Sequence, residues 1–195
     1  MSEAKDLLMV HNLAKIKDLE EKSQRDGLTG AYNRLYFDET LLREFHLSAQ
    51  YKLPLTIAII DLDYFKQIND NYGHATGDAL LTAVVGFEQI RQDDTLSRFG
   101  GEEFALILPG TTLAASRNLI SRLKDSISTI NFKIDNDRII NITASIGVAS
   151  NEADTHNFLT PLDMIKAADT ALYAAKNSGR NRIIEWHPLL SSLKL

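Results

Sequence analysis

The sequence predicts a mixed α/β domain with a central, mostly antiparallel sheet flanked by helices and preceded by a separate N-terminal helix. Three observations carry this prediction. Segments with helical periodicity alternate with short apolar runs from about residue 33 to 186. The run from Leu55 to Ile60 is apolar without alternation, the mark of a strand covered on both faces. Two further apolar runs, ending at Leu108, are joined by the pair Gly100–Gly101, which supplies the positive φ angles of a tight primed turn and so folds the chain into a hairpin.

Taken in order, residues 1–25 are polar, lack Gly and Pro, and carry Met9, Leu13, Ile16 and Leu19 at helical spacing. The stripe suits a short dimerising or signal-transmitting coiled coil, or a helix packed on its own domain. It is too short to choose between them. A helix near 33–49 then precedes the strand at 54–61, and a second spans about 75–91 before the hairpin of 96–108. A helix near 111–129, a strand at 138–149, a helix at 160–177 and a last strand at 182–186 complete the domain, leaving 188–195 as a tail.

Composition excludes several classes. A net charge of −5 argues against a nucleic-acid footprint, and a polyphosphate ligand would need metal ions or local cations to approach. With no cysteine there is no disulfide framework, thiol nucleophile or Cys-based zinc site, which fits the cytoplasm. No apolar stretch reaches the ~18 residues of a membrane span, so no membrane contact is expected of this segment. Walker and GxGxxG glycines are absent.

Chemistry-bearing residues gather at two places. Asp61 and Asp63 end the central strand and share a face by alternation, and Glu102 and Glu103 stand at the hairpin tip. If the hairpin pairs beside the strand, Asp61 and one glutamate converge on a divalent ion, for which one or two carboxylates plus substrate phosphates suffice. An isolated Asp61 would more simply cap a turn.

The residues also resemble the GGDEF domains, the family that includes the diguanylate cyclases. Five ordered blocks carry the likeness over roughly residues 26–185. They are Asp26 to Thr29 with Asn33–Arg34; Asp61 to Lys66; Asn69–Asp70 with Gly73–His74 and Gly77–Asp78; Gly100 to Phe104, reading GGEEF; and Ala174 to Asn181. The resemblance implies a palm-like fold similar to the class III nucleotidyl cyclases. It implies a domain of 26–187 that joins two GTP molecules into cyclic di-GMP across a homodimer, with Mg2+ or Mn2+ as cofactor and an upstream sensor domain as a possible regulator.

By the same resemblance, Asp61, the carbonyl of Leu62 and Glu102 hold metal, and Glu102 or Glu103 accepts a proton. The amides of Tyr64 and Phe65, with Lys66, Lys176 and Arg180, hold phosphates. Asn69 and Asp78 contact guanine, and Arg91 with Asp94 forms an inhibitory site for the product. Each has a plainer role: Phe65 in the core, Asn69 and Asp78 as helix caps, Lys176 and Arg180 against a helix dipole, Arg91 and Asp94 as an i, i+3 ion pair. A catalytically silent sensor of GTP or cyclic di-GMP is the alternative function. A cyclase for another nucleotide is a third.

Overall fold

The structure, a computed structural model, describes residues 15, 23–86, 90–133, 139–152 and 157–192. The stripe Met9, Leu13, Ile16 and Leu19 lies outside the described residues. Helix α1 (Arg34–Tyr51) starts at Asn33, whose side chain accepts from the Tyr36 amide, and ends at Lys52 in the left-handed region. Phe37, Leu41, Phe45 and Ser48 recur at helical spacing along its buried face. Then follow β1 (Leu55–Leu62), α2 (Phe65–Tyr72), α3 (His74–Val85), β2 (Thr95–Gly100), β3 (Glu103–Pro109), α4 (Leu113–Ser128), β4 (Phe132–Lys133), β5 (Ile139–Ile140), β6 (Ala144–Asn151), α5 (Pro161–Asn177) and β7 (Ile183–Glu185).

The main sheet has the order β2-β3-β1-β6-β7, with β1 antiparallel to both neighbours and only β7 parallel to its partner β6. All eight residues of β1 are buried, as an unbroken apolar run requires. Alternation divides the core in two. Ala58, Ile60 and Leu62 pack with Phe104, Leu106 and residues of α2, α3 and α4, whereas Leu55, Ile57 and Ile59 face α1 and α5. Each fully buried isoleucine contributes about 1.5–3 kcal/mol. Helix α5 lies so close to β6 that a Cβ at Gly147 would overlap the backbone of Ala168 and Leu172.

Four expectations need correction. Only Gly101 of the glycine pair has positive φ, at +46°, because the two-residue turn is Gly101–Glu102 and Gly100 belongs to β2. The helix expected over 75–91 ends at Val85, with Gly86 as its cap. Before it stands α2, an eight-residue helix that the poor helix formers Asn69, Asp70 and Asn71 concealed. The strand expected over 138–149 is two elements: β5 pairs with β4 in a separate ladder, and β6 begins only at Ala144. Residues 188–192 form a 3₁₀ turn that buries Leu190 against Ala171 and Ala174. Among the described residues no helix is long and apolar enough to cross a membrane.

Candidate active site at the acidic rim of the sheet

The rim is made where β1 ends, the 101–102 turn folds over and α5 stops. Antiparallel register sets Asp61 opposite Glu103, and the Leu62 amide donates to the Glu102 carbonyl at 3.3 Å. The hairpin therefore does pair beside the central strand. Asp61 is 7% exposed and its carboxylate meets the Lys176 ammonium at 2.7 Å. Burial raises the Asp61 pKa, Lys176 opposes that, and Glu102 and Asp63 add to it. Burial likewise raises the Glu103 pKa, with Asp61 next in weight. Carboxylates are thus held together with less positive charge than they need.

That donor set fits a hard divalent cation. Its ligands are oxygens and its charge is unbalanced, although among the described residues no group of three His, Asp or Glu side chains is placed to hold a metal ion by itself. Such a site suits an ion that completes its shell with phosphate and water.

Beside the acids lie the cationic residues and a helix start. Tyr64, at φ 58°, precedes α2; the Gln67 and Ile68 amides donate to its carbonyl, and the Phe65 and Lys66 amides are the helix-start donors left for a ligand. Phe65 is buried in the core, while Lys66 projects outward. Lys176 occupies the last turn of α5, and Arg180, at φ 62°, lays its guanidinium 4.7 Å from the centre of the Tyr64 ring. The helix-dipole reading holds for Lys176, yet its ammonium points at Asp61 rather than at carbonyls.

Asn69 and Asp78 cap nothing: Gly73 both ends α2 and starts α3. The Asn69 Oδ1 is buried without a hydrogen-bond partner, and a Cβ at Gly77 would overlap that carboxamide. Gly77 thereby makes room for Asn69 beside the exposed Asp78.

Arg91 and Asp94 stand at the other end of β2. Its six residues separate them from the acidic turn by about 20 Å at ~3.3 Å per residue. They are not a helical ion pair, since α3 has already ended. Instead the Arg91 amide donates to Asp94 Oδ2 at 2.9 Å across a turn. Asp94 is buried, and burial raises its pKa. A cavity of about 350 Å³ opens there, and Arg122 of α4 also lines it.

Sequence reasoning missed Arg122 and Arg98. The first could have been found from the face that Ala115, Asn118, Leu119 and Arg122 share on α4. The second donates through Nε and Nη2 to the Gly101 carbonyl at 2.9 and 2.8 Å, and through Nη1 to Asp26 at 3.1 Å. It thus ties the 26–31 turn to the acidic hairpin. Burial opposes ionisation of Asp26, but the two Thr29 hydrogen bonds and Arg98 outweigh it and lower the pKa.

A carboxylate rim beside a helix start and two cationic side chains at one edge of a mostly antiparallel sheet is the layout of a nucleotidyltransferase-type domain. The chain belongs to the GGDEF family: the model described as "Diguanylate cyclase, GGDEF domain" matches residues 23–182. It is 37% identical over 166 residues to the probable diguanylate cyclase DgcC of Escherichia coli, covering 84% of this chain and 43% of that one. It is 38% identical over 173 residues to the diguanylate cyclase DgcP of Pseudomonas aeruginosa, covering 86% and 25%. The chain thus spans less than half the length of these curated relatives.

Two solved structures are also similar. The coiled coil and GGDEF domain of DgcB from Caulobacter crescentus, in complex with c-di-GMP, superposes with a TM-score of 0.82 at 27% identity, covering 93% and 96% of the two chains. The active GGEEF domain of a diguanylate cyclase from Vibrio cholerae gives 0.71 at 30% identity, covering 80% and 97%.

Proposed function

We propose that this domain is a cytoplasmic diguanylate cyclase that condenses two GTP molecules into cyclic di-GMP and releases two pyrophosphates. The observation that carries the reading is the register of Asp61 against Glu103, with Glu102 in the adjoining turn and Lys176 on Asp61. Asp61, the Leu62 carbonyl and Glu102 would hold Mg2+ or Mn2+, which when bound would supply Lewis-acid stabilisation of charge at an α-phosphate and lower the pKa of an attacking hydroxyl.

The chain's own residues do the rest. The Tyr64 and Phe65 amides, Lys66, Lys176 and Arg180 grip the β- and γ-phosphates, and Lys176 leaves Asp61 to do so. Asn69 and Asp78 read the guanine edge, the carboxylate accepting from N1 and N2 hydrogens. Each 3′-oxygen forms a bond to the other nucleotide's α-phosphorus while the bond to the β-phosphate breaks. The hydroxyl proton passes to Glu103, or to Glu102, and pyrophosphate leaves. One domain holds one GTP, so two copies must meet face to face, and catalysis is largely positioning and electrostatics. The cavity of Arg91 and Asp94 takes the product as an inhibitor, an arginine fork suiting a guanine edge.

Incubation with GTP and Mg2+ over a range of protein concentrations, with chromatographic detection of cyclic di-GMP, tests this. The rate per subunit should rise with concentration. GTP binding without product would make the domain a silent sensor and overturn the enzymatic reading.

A further inference from the structure

Asp63 has no part in the roles given above, although it lies two residues from Asp61. Its side chain takes partners that Asp61 does not. It is 4% exposed, and Oδ1 accepts from the Ser145 hydroxyl at 2.6 Å. Oδ2 accepts from the Thr143 hydroxyl at 2.6 Å and from the Asn181 amide at 3.0 Å. The Asp63 amide donates to the Thr143 carbonyl at 2.8 Å. One residue thus joins the end of β1, the start of β6 and the loop after α5, all through neutral donors.

The two loops it joins are conformationally unusual. Tyr64, the next residue, has φ 58°, and Arg180 and Asn181 have φ 62° and 46°. Left-handed backbone is unfavourable by roughly 1–3 kcal/mol at residues such as Tyr64 and Arg180, less so at Asn181, and persists only where the surroundings enforce it. Asp63 is bonded to the chain directly on both sides: it precedes Tyr64, and it holds the amide that follows Arg180. The Tyr64 ring and the Arg180 guanidinium meet as a result. Strain of this kind clusters where a ligand is gripped, and here it coincides with the amides and cations assigned above to the phosphates.

We propose that Asp63 is a positioning residue that clamps the left-handed turns at Tyr64 and Arg180–Asn181 into one triphosphate cradle. The proposal rests on the cyclase reading for the identity of the ligand. The clamp itself is internal to the chain. An asparagine at 63 loses the charge that strengthens all three bonds, and its Nδ2 must donate to the Ser145 Oγ instead of accepting from it.

The test is Asp63→Asn in the full chain, read by amide exchange at Asn181, by binding of magnesium tripolyphosphate and by GTP kinetics. Asn181 exchange should quicken about tenfold or more while α5 stays protected. Tripolyphosphate affinity should fall and KM for GTP should rise about tenfold, with kcat within about threefold. Thr143→Ser, which keeps the hydroxyl, should behave as the parent, and Thr143→Val should move toward Asp63→Asn. If Asp63→Asn does not fold, Thr143→Val and Ser145→Ala decide by the same readings. Unchanged tripolyphosphate binding and KM in the folded variants overturn the clamp. A parent protein that binds neither GTP nor tripolyphosphate overturns the cyclase reading, and with it the cradle.

Discussion

Asp61→Asn should separate chemistry from stability. The folded-state pKa of Asp61 is raised, first by burial and further by Glu102 and Asp63, against the pull of Lys176. A carboxyl with a raised folded pKa favours the native state while it is protonated. That stability is fully present below the unfolded pKa and is lost as pH rises through the folded one. At neutral pH the ionised group therefore opposes folding, and an isosteric amide removes this penalty. It also forfeits the 2.7 Å pair with Lys176, whose side chain is 30% exposed. That attraction is already netted in the raised pKa, so its loss offsets only part of the burial penalty that the amide removes. The net effect is small, so the melting temperature should move by no more than about 4 °C for a domain of this size.

Turnover should fall about a thousandfold or more, because several kcal/mol of charge stabilisation at phosphorus is lost. Product chromatography and thermal unfolding of the metal-free protein in matched buffers measure both. The parent should gain stability relative to the variant as pH falls through the raised folded-state pKa toward the unfolded one, since only the parent has the carboxyl to protonate. Turnover within about tenfold of the parent would remove Asp61 from the metal site. A fall in melting temperature beyond about 10 °C would make Asp61 a structural residue instead.

Two further outcomes follow from the same geometry. Arg91→Ala should leave the initial rate unchanged and weaken product inhibition about tenfold or more, as loss of a bidentate guanine contact implies; progress curves with added cyclic di-GMP measure this, and inhibition of parental strength would empty the cavity of its proposed role. Gly77→Ala places a Cβ where the Asn69 carboxamide lies, so KM for GTP should rise about tenfold and discrimination against ATP should weaken. A parental KM in GTP titrations would show that the carboxamide moves aside freely and is not held for guanine.

What was legible in the sequence was what local pattern encodes. The unbroken run Leu55–Ile60 announced a buried central strand, and Gly100–Gly101 announced a reversal, although only the structure shows that Glu102 itself occupies the turn. Helix α2 stayed hidden because eight residues rich in Asn and Asp lack a propensity signal and are held by the burial of Phe65 and Ile68. Strand alternation alone put Asp61 and Asp63 on one face, and there local reasoning reaches its limit. β1 ends at Leu62 and the chain turns at Tyr64, so the two carboxylates take different partners. Asp61 faces Lys176 and the acidic hairpin, whereas Asp63 bonds to residues 80, 82 and 118 positions away. The chemistry of each acid was set by contacts that no window of sequence contains, which is why two aspartates of identical local signature do opposite work, one meeting a cation and the other fixing the backbone around it.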